Sequence, residues 1–185
     1  DQNDVEERGV RLLMNPPIRY TEDKDKLWKR LKDGTIDCVV TDHAPHTLEA
    51  KSVGYPKAPA GMPGVETSLP LMLTNAMNGK CSISDVVRWM CEGPAKVYNI
   101  ENKGSLIEGY DGDLTLVDLD TRQTITDADT WTRVGWTPYD GFELTGLPMW
   151  TIVDGIPVHS RTKNGDLKGT PLVKPGQTGR NLRFR

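Results

Sequence analysis

The stretch VVTDHAPHT (residues 39–47) sets an aspartate, two histidines and a proline directly after the apolar run IDCVVT (residues 36–41). That run is rich in β-branched residues and apolar on both faces, so it reads as a strand buried in a parallel sheet. A carboxylate at the C-terminal end of such a strand, here Asp42, stands where α/β barrels keep their chemistry. Pro45 fixes the turn, so His46 belongs to a loop rather than to a helix. One oxygen of a carboxylate placed there can bind a metal ion while the other takes a proton from activated water. An imidazole a few ångströms away can donate to an anionic substrate group. The same residues also read as a loop network that merely satisfies its own hydrogen bonds, and spacing alone leaves both readings open.

Upstream, VRLLM (residues 10–14) reads as the preceding strand, and the NPP that follows forces an extended exit. Between the two runs, DKDKLWKRLKDG carries Leu27, Trp28 and Leu31 at helical spacing and closes on Gly34, a C-terminal signal. Strand, loop, helix, strand is the repeating unit of a parallel α/β sheet or barrel. Downstream of a Gly/Pro-rich loop, Val65, Leu69, Met72, Leu73, Ala76 and Met77 share one helical face. The pattern predicts a helix over 68–78, capped by Thr67 or Ser68, with Pro70 in its first turn. A second helix is predicted over 85–92, capped by Ser84 and ended by Gly93-Pro94, and PAKVYNI reads as one more short helix. From about Lys103 helical periodicity gives way to short strands. DLTLVDL alternates in part, and WTIVDGIPVHS is a hairpin signal around Asp154-Gly155, the dipeptide that a type I′ turn prefers. The tail KPGQTGRNLRFR is expected to be loose or draped over the surface.

With 185 residues the chain suffices for one domain or parts of two. Its 36 % hydrophobic and 26 % charged content is that of a soluble globular protein, and a net charge of −3 gives no reason to expect nucleic acid or an anionic membrane as partner. No apolar stretch approaches the roughly 20 residues of a transmembrane helix. The acidic start DQNDVEERG is not a signal peptide, and the lack of an initiator Met makes Asp1 readable as an internal boundary. Cys38, Cys81 and Cys91 match no metal or redox spacing and read as reduced thiols, pointing to the cytoplasm.

Three stretches taken together, NPPIR (residues 15–19), TDHAPHT (41–47) and APAGMPGVET (58–67), resemble the dihydroorotases, within the amidohydrolase superfamily of metal-dependent barrel enzymes. The D-H-A-P-H string is the most specific piece. The P-G-x-E-T lead-in to a helix and GSLIEGYDGDLTLVDLD (residues 104–120) look like the same superfamily, and Gly112 stands where that family often has Ala.

The resemblance implies the C-terminal part of a metal-dependent (β/α)8 TIM-type barrel, its last two strands and final helices, over residues 1–104. Residues 105–185 would be a β-rich module, part of a composite β-sandwich, with a loose tail. It implies reversible hydrolysis and cyclisation between dihydroorotate and N-carbamoyl-aspartate in pyrimidine biosynthesis, with two zinc ions in the complete enzyme. Asp42 would be metal ligand and proton shuttle. Asn15 and His46 would contact the substrate, as would the backbone at Ala60 and Gly61. His43 reads as structural and His159 as a surface histidine. The family's H-x-H ligands and bridging lysine have no match here, so the chain alone is expected to be inactive. The expected partner is the small-molecule substrate, with a homo-oligomer or another pyrimidine-pathway enzyme as possible associates. Two other readings stand beside this one. The first is another cyclic amidohydrolase (hydantoinase, dihydropyrimidinase or allantoinase), and the second is a non-catalytic dihydroorotase-like subunit.

Overall fold

The computed structural model describes residues 1–162 and 168–184. Residues 163–167 of the expected β-rich module and Arg185 of the expected tail lie outside the described residues. The chain divides into two compact units, each assembled from separated stretches.

The first unit comprises Asp1–Ile36, Thr41–Ser68 and Thr124–Phe142. Helix α1 (Gln2–Arg8) opens with a reciprocal cap between Asp1 and Asp4. Helix α2 (Thr21–Lys32) has acidic Glu22 and Asp23 in its first turn and Lys29, Arg30 and Lys32 in its last, which matches the helix dipole at both ends. Of the apolar residues at helical spacing it buries Leu31, while Trp28 is half-buried and Leu27 is exposed. Helix α3 (Leu48–Ser52) is a short piece capped by the Thr47 hydroxyl, which accepts the Ala50 N–H at 3.1 Å. Trp136, fully buried, forms the core with Leu12, Leu31, Ala58 and Ile125.

The expected strand over residues 10–14 is not one. Gly9–Leu12 form a 3-10 turn, and the Leu13 amide bonds back to the Val10 carbonyl at 3.2 Å. A five-residue apolar run cannot by periodicity be told from a buried helical turn.

The second unit comprises Asp37–Val40, Leu69–Gln123 and Glu143–Arg185. Helix α4 (Ser68–Met77) buries Pro70, Met72 and Leu73. Residues 83–97 then run as one helical stretch in three registers: α5 (Ile83–Val87), a π turn (Arg88–Glu92) and α6 (Gly93–Val97). The cap is Ser82, not Ser84, with Asp85 completing a capping box. Nor does Gly93-Pro94 end the helix. Gly93 is itself helical, with φ −57° and ψ −56°, and Pro94 sits in the first turn of α6, where its missing N–H costs little.

The expected strand over residues 36–41 is likewise absent, for a related reason. The π register would direct an N–H from residue 94 to the Trp89 carbonyl, and proline has none to give. That carbonyl instead accepts the Val39 amide at 3.0 Å. The IDCVVT backbone therefore bonds to a helix carbonyl and not to a neighbouring strand, and without a ladder it is irregular. The approach is close, since a Cβ on Gly93 would lie 2.5 Å from the Asp37 carbonyl oxygen and 3.0 Å from Cys38 Cβ.

Among the described residues four strands follow in one sheet of order β1-β2-β3-β4: β1 (Leu114–Thr124), β2 (Glu143–Val153), β3 (Ile156–Ser160) and β4 (Thr170–Pro171). The β2–β3 hairpin is antiparallel with Val153 opposite Ile156. Asp154 and Gly155 take φ of 55° and 75°, the left-handed pair a type I′ turn demands. Against β2, α4 comes so near that a Cβ on Gly146 would stand 2.9 Å from Leu73 Cβ, and the Thr74 hydroxyl accepts the Thr145 amide at 2.9 Å. His159 is half-buried rather than a plain surface residue, its Nε2 lying 2.7 Å from the Lys168 carbonyl. The tail is draped, not loose. Arg180 pairs with Asp154, the Glu101 amide bonds to the Arg183 carbonyl at 2.8 Å, and Ile100 bridges Phe184.

Candidate functional site

The DHAPHT loop lies between Val40 and α3, in the first unit, and four of its residues have distinct surroundings. Asp42 takes φ 42°, the left-handed region that Asp tolerates better than most residues because its side chain is short and polar. It is exposed, and among the described residues its carboxylate takes no hydrogen bond or ion pair. His43 turns away from that chemistry. Its Nδ1 accepts the amides of Gly64 at 3.1 Å and Val65 at 3.2 Å, so the ring holds the turn that leads into α4. The Ala44 amide bonds to the Met62 carbonyl at 3.2 Å, and the His46 carbonyl accepts the indole N–H of Trp136 at 2.8 Å.

Gly61 sits against this loop. With φ 133° it has a conformation that side chains avoid, and a Cβ there would lie 2.5 Å from the Ala44 carbonyl oxygen and 3.3 Å from His46 Cδ2. Its amide donates to the Leu13 carbonyl at 3.0 Å. Leu13 stands two residues before Asn15, which is exposed at a cis Asn15–Pro16 peptide. The loop, the Ala60–Gly61 turn and the approach to Asn15 are thus brought together through backbone contacts. Among the described residues no hydrogen bond joins the side chains of Asp42, Asn15 and His46 to one another.

Lys51 binds these pieces, and nothing in the sequence pattern singled it out. Its side chain is fully buried, and Nζ donates to the carbonyls of Leu13 at 2.9 Å, Pro59 at 3.1 Å and Gly61 at 2.8 Å. Three carbonyls use the three donors of an ammonium completely. Burial pushes its pKa below the ordinary lysine value. The Trp136 ring centroid lies 6.0 Å from Lys51 Nζ and 5.6 Å from the Arg11 guanidinium carbon, adding a weaker cation–π attraction on either side.

Residues 124–142 supply the surrounding brace. Arg11 makes a two-pronged bond to Asp127, at 2.8 and 2.6 Å, and Asp127 also accepts the Thr137 amide at 2.9 Å. The Arg11 guanidinium holds the Asp127 carboxyl below its usual range. Glu66, from the P-G-x-E-T segment, accepts the amides of Trp131 at 2.7 Å and Thr132 at 2.8 Å. These are long-range carboxylate and guanidinium contacts that no local spacing reports.

As a metal donor, Asp42 fits in one respect: its carboxylate is exposed and uncommitted. Among the described residues no three His, Cys, Asp or Glu side chains converge, so they do not build a coordination shell. No described helix is long and apolar enough to cross a membrane.

This chain belongs to the amidohydrolase family, whose profile matches residues 5–153. It is 39 % identical over 172 residues to the dihydroorotase of Pyrococcus furiosus, a match covering 92 % of this chain and 40 % of that protein. It is 39 % identical over 155 residues to the dihydroorotase of Staphylococcus aureus, covering 83 % of this chain and 36 % of the relative. Among solved structures, an L-hydantoinase (dihydropyrimidinase) from Arthrobacter aurescens superposes with a TM-score of 0.83 at 37 % identity, over 94 % of this chain and 38 % of that one. The α/β fold is therefore that of the amidohydrolases. The chain spans about 40 % of the length of the relatives it matches.

Proposed function

We propose that the complete protein to which this chain belongs is a dihydroorotase, a cyclic amidohydrolase that opens dihydroorotate to N-carbamoyl-aspartate and closes it again in pyrimidine biosynthesis. The observation that carries this reading is the DHAPHT loop itself. Asp42 keeps an uncommitted carboxylate, and His46 keeps its ring beside the Ala60–Gly61 turn. The 39 % identity to proteins named dihydroorotase supports the same choice.

Ring opening adds water across the amide: a bond forms from water oxygen to the ring carbonyl carbon, the C–N bond breaks, and the leaving nitrogen gains a proton. Asp42 takes the proton from the attacking water and delivers it to that nitrogen. Asn15 and His46 bind the substrate carboxylate, fixed donors for a fixed charge. The backbone of the exposed Ala60 and of Gly61 meets the ring, and the Gly61 carbonyl, which accepts from Lys51 Nζ, keeps its second lone pair. A metal ion, zinc in this reading, supplies Lewis acidity when bound. Asp42 would give it one oxygen, and its other ligands would come from outside the described residues.

In the complete protein, residues 1–104 would contribute the last part of the barrel and residues 105–185 part of a β-sandwich. The reading further places the enzyme in the cytoplasm, alone, as a homo-oligomer or beside another enzyme of the pathway. The likeness to an L-hydantoinase (dihydropyrimidinase) keeps a second reading, an enzyme for cyclic amides that lack a ring carboxylate. The complete protein should be assayed on dihydroorotate and on dihydrouracil, which differ by that carboxylate. A kcat/KM higher by about a hundredfold or more for dihydroorotate is expected, because a site built around a charged group strongly rejects the analogue without it. Preference for dihydrouracil or hydantoin would replace this reading with the second.

A further inference from the structure

We propose that Lys51 is a positioning residue for substrate binding, setting the Asn15 segment and the Ala60–Gly61 turn in register with His46 through their backbone carbonyls. The proposal rests on the reading that Asn15, His46, Ala60 and Gly61 face the substrate. The three acceptors come from two stretches, the approach to Asn15 and the turn at residues 59–61. Leu13 lies two residues before Asn15, Pro59 directly precedes Ala60, and Gly61 is the turn itself. Lys51 is five residues beyond His46 on the same run of chain, on a helix capped by the intervening Thr47. One ammonium therefore joins every substrate-facing stretch of this unit.

A charge is an expensive way to tie backbone together, since burying an ammonium sacrifices its hydration. A neutral donor would offer fewer N–H groups and no attraction to three carbonyl dipoles at once. Among the described residues no carboxylate joins the cage, so the three carbonyls answer the charge, with the Trp136 ring 6.0 Å away adding a weaker attraction. The Leu13 carbonyl accepts from both Lys51 Nζ and the Gly61 amide, which couples the two segments directly. Gly61 is packed closely against the loop, since a Cβ built on it would stand 2.5 Å from the Ala44 carbonyl oxygen. Loss of the ammonium frees the turn to move away from His46, in the direction that opens the site.

The experiment is Lys51→Met in the complete protein, a substitution that keeps the length of the stem and removes the donors. In the folded variant, KM for dihydroorotate should rise by about tenfold while kcat stays within about threefold, the signature of lost binding rather than lost chemistry. Amide hydrogen exchange in peptides covering residues 58–64 should accelerate relative to wild type. A residue that only stabilised the fold would lower Tm and leave KM and that exchange unchanged, and such a result would overturn the proposal. Should the Met variant not fold, Lys51→Arg decides. Its planar fork cannot aim at three converging carbonyls. A raised KM in folded Lys51→Arg supports the proposal, and a wild-type KM refutes it. Absence of dihydroorotate turnover in the wild-type protein would instead defeat the functional reading, with hydrogen exchange at residues 58–64 still judging the cage.

Discussion

Two stretches of irregular backbone are held by opposite means. In the first unit, the carbonyls of Leu13, Pro59 and Gly61 gather around a buried ammonium. In the second, Asp37–Val40 lie on residues 83–97 because of what two helix residues lack: Gly93 has no side chain to hold them off, and Pro94 has no N–H to occupy the Trp89 carbonyl. The first device adds a charged group, and its strength depends on that group's donors. The second removes atoms, and its strength depends on nothing being put back. A loop whose segments must keep fixed relative positions gains from the first kind, because one atom makes all three bonds. A segment that only has to be seated against a helix can use the second.

The contrast can be broken at Gly93. Its backbone is helical, so by intrinsic propensity alone Gly93→Ala should stabilise the protein by up to about 1 kcal/mol. The contact geometry requires the opposite sign. The added methyl would meet two backbone oxygens, of Asp37 at 2.5 Å and Arg88 at 3.0 Å, and neither is the yielding end of a side chain. A loss of about 2 kcal/mol is expected, read as a lowered midpoint in chemical denaturation of the complete protein. A gain in stability would show that the seating of residues 37–40 does not depend on the missing Cβ.

Gly112 sharpens the point on a smaller scale. A Cβ there would stand 3.0 Å from the Gly155 nitrogen, at the exposed tip of the β2–β3 hairpin, where Gly155 also donates to the Gly112 carbonyl at 2.9 Å. A turn at the surface gives way more easily than a packed helix, so Gly112→Ala should cost about 0.5 kcal/mol. A cost equal to that at Gly93 would mean that the hairpin tip is as unyielding as the packed helix.

What could be read from the sequence follows the same division. Helices α2 and α4 were legible because apolar spacing is a local signal, although the Thr67 and Ser68 hydroxyls expected to cap α4 donate to the Gly64 and Val65 carbonyls instead, and the Asp154-Gly155 hairpin because a type I′ turn needs left-handed residues. Asp42 was legible as a candidate because an unusual string of residue types marks it. Gly93-Pro94 was misleading. The pair usually punctuates a helix, but here the π turn accommodates the proline and the glycine serves a contact. The runs at 10–14 and 36–41 look like strands by composition, yet the first closes a 3-10 turn on itself and the second bonds to the Trp89 carbonyl of a helical stretch, and composition does not say what lies alongside. Lys51 was invisible. A lysine in LEAKS reads as solvated, and the carbonyls that enclose it belong to the main chain, which carries no residue-type signature. Glu66 and Asp127 escaped notice for a similar reason, since their partners lie 65 and 116 positions away.

If Asp42 carries the proton in ring opening and closure, Asp42→Asn in the complete protein removes that transfer and little else. Asn tolerates the left-handed backbone of this position, and the carboxylate it replaces has no partner among the described residues, so the fold should be unaffected. Turnover of dihydroorotate and of N-carbamoyl-aspartate should both fall by about a thousandfold or more, with Tm unchanged. Near-wild-type turnover in either direction would contradict the account.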